Sequence, residues 1–253
     1  MTEPAGDRPW DVEGPEGAPA IVFVHGAILT RTTWHPQVDR LRDRYRCVSL
    51  DLPGHGRRID EPFTFEGAVD RIGEALVEAA GGRAVLVGLS LGGWLAMAAA
   101  ARWPDRVRGL VVADASREPR GAMRAAMTAY AAALRLYPER LIQAIGRRLL
   151  RGIYDPTTAR RLLAGGYHPR SGSTGIRGVR GLRFRDRLLA YGGPILVING
   201  ALDVIFTRGE RSLLEGVPNV TRRRLRGAGH LSNVDRPDEF TAALVTFEES
   251  LPV

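Results

Sequence analysis

Residues 84–101 read AVLVGLSLGGWLAMAAAA, 18 residues without a charge. That length raises the question of a membrane-spanning helix. The small residues in its middle, Gly88, Ser90, Gly92 and Gly93, point instead to a buried strand, a sharp turn and a buried helix. Gly88-Leu89-Ser90-Leu91-Gly92 is then a G-x-S-x-G set between strand and helix, the pattern in which glycines flank a serine because side chains would collide with neighbouring backbone. The serine hydroxyl of such a turn stands at a helix N-terminus, where the dipole favours developing negative charge.

On either side, short runs rich in Val, Ile and Leu recur: AIVFV at Ala20–Val24, CVSL at 47–50, GLVV at 109–112, ILVI at 195–198, and Val220–Leu225. Most lack polar alternation, as strands do when helices cover both faces of a parallel sheet. Helix-length stretches lie between them at 33–41, 66–80, Leu91–Arg102, 207–215 and Pro237–Glu249, and Thr207 with Glu210 fits a capping box. Alternation of this kind predicts an α/β fold, a mostly parallel sheet with helices on both faces.

Between residues 115 and 191 the strand signal stops. Helical patterns replace it at Gly121–Leu136, at 139–151, from Asp155-Pro156 with proline at the first helical position, and near 182–189, while SGSTGIRGVRG at 171–181 reads as a loop. The expected division is therefore 1–114 and 192–253 as two parts of one core, with 115–191 an inserted helical cap.

A weakly nucleophilic serine needs a base, and the base needs an orienting group. His230, in GAGHLSN after the last strand, is the candidate base, and Asp203, in PILVINGALD, the candidate acid. The order Ser90, Asp203, His230 is the one expected when acid and base occupy loops at the carboxyl ends of later strands. His25, His35, His55 and His168 are rivals for the base, but His25 and His55 sit in glycine turns and the others lack a strand-end position. Asp114, in GLVVADAS, is an alternative acid. For the oxyanion of acyl transfer, the expected donors are the N–H groups of Leu91 and, in the HGAI turn, of Ala27.

Taken together, VFVHGA, DLPGHG, VGLSLGG, PILVINGALD and GAGHLSNVDRP resemble the motif series of the α/β-hydrolase superfamily over roughly residues 19–250. GHLSNVDRPDEF is similar to the matching segment of 3-oxoadipate enol-lactonases, among the small bacterial serine esterases and lactonases. The resemblance implies an about eight-stranded sheet with a cap inserted after the sixth strand, and no cofactor or metal. The chain departs from it at its start, where there is room for one antiparallel strand, around Trp10–Glu13, in place of two. Ser90 where epoxide hydrolases and haloalkane dehalogenases carry aspartate excludes those chemistries.

The expected function is a cofactor-free serine hydrolase of a small carboxylic ester or lactone. Alternatives are carbon–carbon hydrolysis of ring-cleavage dienoates, biosynthetic acyl transfer or cyclisation, and a ligand-binding signalling protein that keeps the triad. Charge bears on the substrate. All 36 basic residues are arginine, and the formal net charge of +8 arises from one segment: residues 117–187 hold 16 Arg against four acids. An anionic substrate or an acidic carrier protein would be attracted to such a cap, whereas solvated helix faces would leave the site indifferent to charge. No nucleic-acid motif and no membrane partner is indicated. A lone Cys47 and an acidic, Pro/Gly-rich start without an apolar region point to the cytoplasm.

Overall fold

The computed structural model describes residues 9–252. Part of the leading stretch, read above as lacking a secretion signal, lies outside the described residues. The strands are β1 (Trp10–Glu13), β2 (Ala20–Val24), β3 (Arg46–Leu50), β4 (Ala84–Leu89), β5 (Val107–Ala113), β6 (Ile195–Gly200) and β7 (Val220–Leu225). They form a seven-stranded sheet in the order β1-β3-β2-β4-β5-β6-β7. Only β1 runs antiparallel, pairing Trp10 with Leu50 of β3. Among the described residues the sheet therefore has seven strands where about eight were expected, the difference lying at the short N-terminal edge.

Strand sequence explains the layering. Along β2, Ile21 and Phe23 enter one core and Val22 and Val24 the other, all fully buried. One face is covered by α1 (His35–Leu41) and α12 (Pro237–Glu249), the other by α2 (Phe65–Glu74), α3 (Leu91–Arg102) and α8 (Phe184–Tyr191). Ten consecutive residues of α3, Leu91 to Ala100, are buried, as befits a helix apolar all round. The uncharged stretch is thus a strand and a buried helix, and among the described residues no helix is long and apolar enough to cross a membrane. β7, VTRRRL, is the exception to apolar strands: it is the far edge, where exposed Arg222, Arg223 and Arg224 discourage pairing with another chain.

Between β5 and β6 the chain forms α4 (Gly121–Leu136), α5 (Glu139–Ile153), α6 (Pro156–Leu162), α7 (Pro169–Val179) and α8. Asp155 caps α6 by accepting from the Thr157 and Thr158 N–H groups, with Pro156 opening the helix as the sequence indicates. Two local expectations fail. Residues 171–181 are mostly helix, because the small residues of α7 allow a close approach that outweighs their poor helix propensity. Nor does Thr207 cap a helix over 207–215. It closes the single turn α9 (Val204–Thr207), and α10 (Glu210–Leu213) begins only after Gly209, where a Cβ would lie 2.2 Å from Arg117 Cγ. A short α11 (Ser232–Asp235) follows β7.

Candidate active site

β3 is added on one side of β2 and β4 on the other, so the winding of the sheet switches between the parallel strands β2 and β4, and their carboxyl ends flank the crevice where open α/β sheets bind ligands. β4 is followed directly by Ser90, held at φ 54° and ψ −118°, a strained conformation for a residue with a Cβ. Its surroundings leave no choice. A Cβ on Gly88 would lie 2.3 Å from Gly92 O, one on Gly92 2.4 Å from Val24 O, and one on Gly93 2.5 Å from Ala115 Cβ. The turn is pinned from below by the Ser90 N–H donating to Ala113 O.

Ser90, His230 and Asp203 come together. Ser90 Oγ lies 2.9 Å from His230 Nε2, and His230 Nδ1 lies 2.6 Å from Asp203 Oδ2. A carboxylate at Nδ1 keeps the proton on that nitrogen and leaves Nε2 free to accept from the hydroxyl. Desolvation works to lower the His230 pKa. The bond from Asp203 and the charges of Asp114, Asp203 and Asp235 outweigh it and hold the pKa above its ordinary value. Phe206 lies flat against the imidazole, with centroids 5.0 Å apart.

Asp114 takes a different place. Fully buried and at φ 47°, it accepts from the Gly200 N–H (2.8 Å) and the Ser232 N–H (3.1 Å). It therefore ties the end of β5 to the strand before Asp203 and the loop after His230. Burial pushes its carboxyl up to about 6 despite these bonds.

The HGAI turn faces Ser90 closely enough that a Cβ on Gly26 would meet Ser90 Cβ at 3.4 Å. Three of its carbonyls are engaged. His25 Nδ1 donates to Gly26 O (2.7 Å), a ring nitrogen of His55 faces Ala27 O (2.8 Å), and the His168 N–H donates to Ile28 O (2.8 Å). Neither the Ala27 nor the Leu91 N–H has a protein acceptor among the described residues. His25 also accepts from the Leu52 N–H, and burial keeps it well below its ordinary pKa, hence neutral. The two histidines passed over as bases thus buttress the turn. Their position in glycine turns beside it was the available signal.

Asp51 of the DLPGHG stretch accepts from Arg31 and from the Arg57 N–H, and Arg31 also reaches Asp11 on β1. Gly56 packs so close that a Cβ would fall 2.1 Å from Asp51 Oδ2. Two contacts come from the inserted helices and leave little trace in sequence. A Cβ on Gly172 of α7 would sit 2.3 Å from Ala27 O, and one on Gly175 2.5 Å from Leu91 Cδ2, so α7 lies directly on the two residues whose N–H groups are unpartnered. Tyr154, between α5 and α6, donates to Asp235 Oδ1 (2.7 Å), and Asp235 Oδ2 accepts from the Gly229 N–H beside His230.

Over Ser90 lies a cavity of about 570 Å³, lined on the inserted side chiefly by Met123, Met127, Tyr130, Leu149 and Ile176, and on the core side by Trp94 and Phe206. Among the described residues no arginine lines it. Trp34, in contrast, is core, packed between Phe23 and Phe240, and the exposed Tyr137 is not part of the cavity lining.

Residues 21–243 match the alpha/beta hydrolase family, and the chain belongs to it. The chain is 26% identical to 3-oxoadipate enol-lactonase 1 of Acinetobacter baylyi over 95% of its length and 92% of that protein's. It is 34% identical to the pimeloyl-[acyl-carrier protein] methyl ester esterase of Yersinia enterocolitica over 42% of this chain, a match that spans 40% of that relative's length. A similarly short match, 35% of the relative's length, is found to 2-(acetamidomethylene)succinate hydrolase of Mesorhizobium japonicum. The crystal structure of the enol-lactonase from Burkholderia xenovorans LB400 superimposes with a TM-score of 0.77 at 23% identity, covering 95% of this chain and 96% of the other, which shows a common fold.

Proposed function

We propose that the protein is a cofactor-free serine hydrolase cleaving a carboxylic ester or lactone with an apolar acyl portion, and that residues 115–191 act as its cap. The supporting observation is the hydrogen-bonded series Ser90–His230–Asp203, at 2.9 and 2.6 Å, with a strained serine facing two unpartnered N–H groups. Ser90 Oγ attacks the acyl carbon as its proton passes to His230 Nε2. The Ala27 and Leu91 N–H groups donate to the oxyanion, and Asp203 holds the imidazole and offsets its positive charge. His230 then protonates the leaving oxygen, and water repeats the sequence on the acyl-enzyme.

The cavity wall favours an uncharged acyl group, since the arginines that gave the segment its charge do not reach it. Family relatives acting on an enol-lactone and on a methyl ester agree with this class of bond. The test is hydrolysis of short p-nitrophenyl esters and lactones by wild type and Ser90→Ala, with fluorophosphonate labelling of the intact protein. We expect labelling at Ser90 and a loss on the order of a millionfold in kcat for Ser90→Ala. Equal rates overturn the proposal, and loss of a dienone chromophore without ester turnover moves it to carbon–carbon cleavage.

A further inference from the structure

Helix α5 presents an unusual outer face. Leu141, Ile145, Leu149 and Ile153 recur at every fourth residue, which places them in one row along the helix. All four are exposed, from 47% for Leu141 to 68% for Ile153, and Leu136 and Tyr137, just before the helix, are exposed as well. On the adjoining flank stand Arg140, Arg147, Arg148 and Arg151, with Arg160 of α6 beside them. Arg161 is held by Asp39, but none of these five has a carboxylate partner among the described residues.

Helices at a protein surface ordinarily turn their apolar row inward. Here the inward side is taken by Gly146, packed on the Tyr167 ring, and the aliphatic row is left facing out beside unpaired cations. The row is also continuous with the cavity, because Leu149 and Ile153 line it, as do the exposed Tyr130 and Ile205. Exposed Leu202 and Val204 adjoin Ile205 in sequence.

We propose that this face seats on an anionic lipid surface. The Leu141–Ile145–Leu149–Ile153 row enters the boundary between headgroups and acyl chains, and the arginines stay at the lipid phosphates with their alkyl stems lying along the row. Charge complementarity supplies the anion, and the aliphatic row selects lipid over an acidic protein, which would satisfy the guanidinium groups but leave a row with no hydrogen-bonding atom uncovered. The cavity mouth would then open toward the surface, so that an amphiphile passes from the lipid to Ser90 without crossing water. Such contact lies on the membrane and does not span it, in keeping with helix lengths. Seating on lipid is independent of the chemistry at Ser90.

The full chain is sedimented with sucrose-loaded vesicles of phosphatidylcholine alone and of phosphatidylcholine mixed with phosphatidylglycerol. Binding is expected to the mixed vesicles and to weaken with salt. Removing both charges in Arg147→Ser/Arg151→Ser should weaken it more than tenfold, at about fivefold per arginine. Ile145→Glu should abolish it. None of Ile145, Arg147 and Arg151 lines the Ser90 cavity, so thermal melting and turnover of a water-soluble ester should match wild type. Unchanged melting shows the variants fold even if no ester is turned over. Equal binding to both vesicles, binding indifferent to these substitutions, no sedimentation with either, or retention only on an acidic carrier protein each overturns the proposal.

Discussion

His230 lies within electrostatic reach of three carboxylates, Asp114, Asp203 and Asp235, and this sets how the site should answer to pH. Only the neutral imidazole can accept the serine proton, so turnover falls as pH drops through the His230 pKa. With that pKa raised, the acid limb of kcat/KM should lie above pH 6.5, the ordinary histidine value. Stability follows the opposite sense: the group's contribution is complete below 6.5 and is lost as pH rises through the raised value. Asp203→Asn removes the strongest raising influence and the hold on the tautomer. It should move the limb downward and lower kcat about ten-thousandfold. Asp114 differs from Asp203 in having no contact with the imidazole, and in sequence both follow a buried strand. Its raised folded pKa means that ionisation costs stability as pH climbs from 3.8 through about 6. The deficit of Asp114→Asn, which loses an acceptor for one buried N–H, should therefore be largest near pH 4 and narrow above pH 6 in urea titrations.

At the level of elements, α7 is a helix where the glycine- and serine-rich sequence predicts a loop. Glycine and serine at 171–175 disfavour helix, yet Gly172 and Gly175 are the residues that let the helix rest on Ala27 and Leu91. Gly172→Ala should lower kcat of the hydrolase by one to two orders of magnitude while KM changes little, because the added methyl displaces the backbone of Ala27, the proposed oxyanion donor. Tyr154→Phe tests a second link. The Tyr154 hydroxyl reaches Asp235, whose other oxygen fixes Gly229, so losing it should destabilise the fold by about 1–3 kcal/mol in thermal melts. The elbow glycines, in contrast, were legible. The strand before and helix after Ser90 demand a turn too tight for side chains, and the distances at Gly88 and Gly92 bear that out.

Across the whole molecule, the formal charge separates from the cavity. Residues 117–187 carry the excess arginine, but the wall facing Ser90 is methionine, leucine, isoleucine and aromatic rings. Neutral p-nitrophenyl esters should thus be hydrolysed at least tenfold faster than ω-carboxylated esters of the same length. In the absence of lipid their kcat/KM should vary little with ionic strength, in a steady-state comparison at low and high salt. Preference for the anionic ester, with a steep salt dependence, would place arginine side chains at the substrate after all.

By itself the sequence determined the alternation of strand and helix, the elbow at Ser90 and the loops bearing Asp203 and His230. These follow from local causes: unbroken apolar runs, glycines at a crowded turn, and polar residues placed just past strand ends. Which aspartate meets the imidazole, which histidines brace the turn at Ala27, and where the arginines point were decided by tertiary structure. Those are contacts between residues far apart in the chain, such as Asp114 with Gly200 or Gly172 with Ala27, and no local spacing encodes them. The N-terminal edge belongs with these, since the bridge from Asp11 through Arg31 to Asp51 that fastens β1 exists only in the folded sheet.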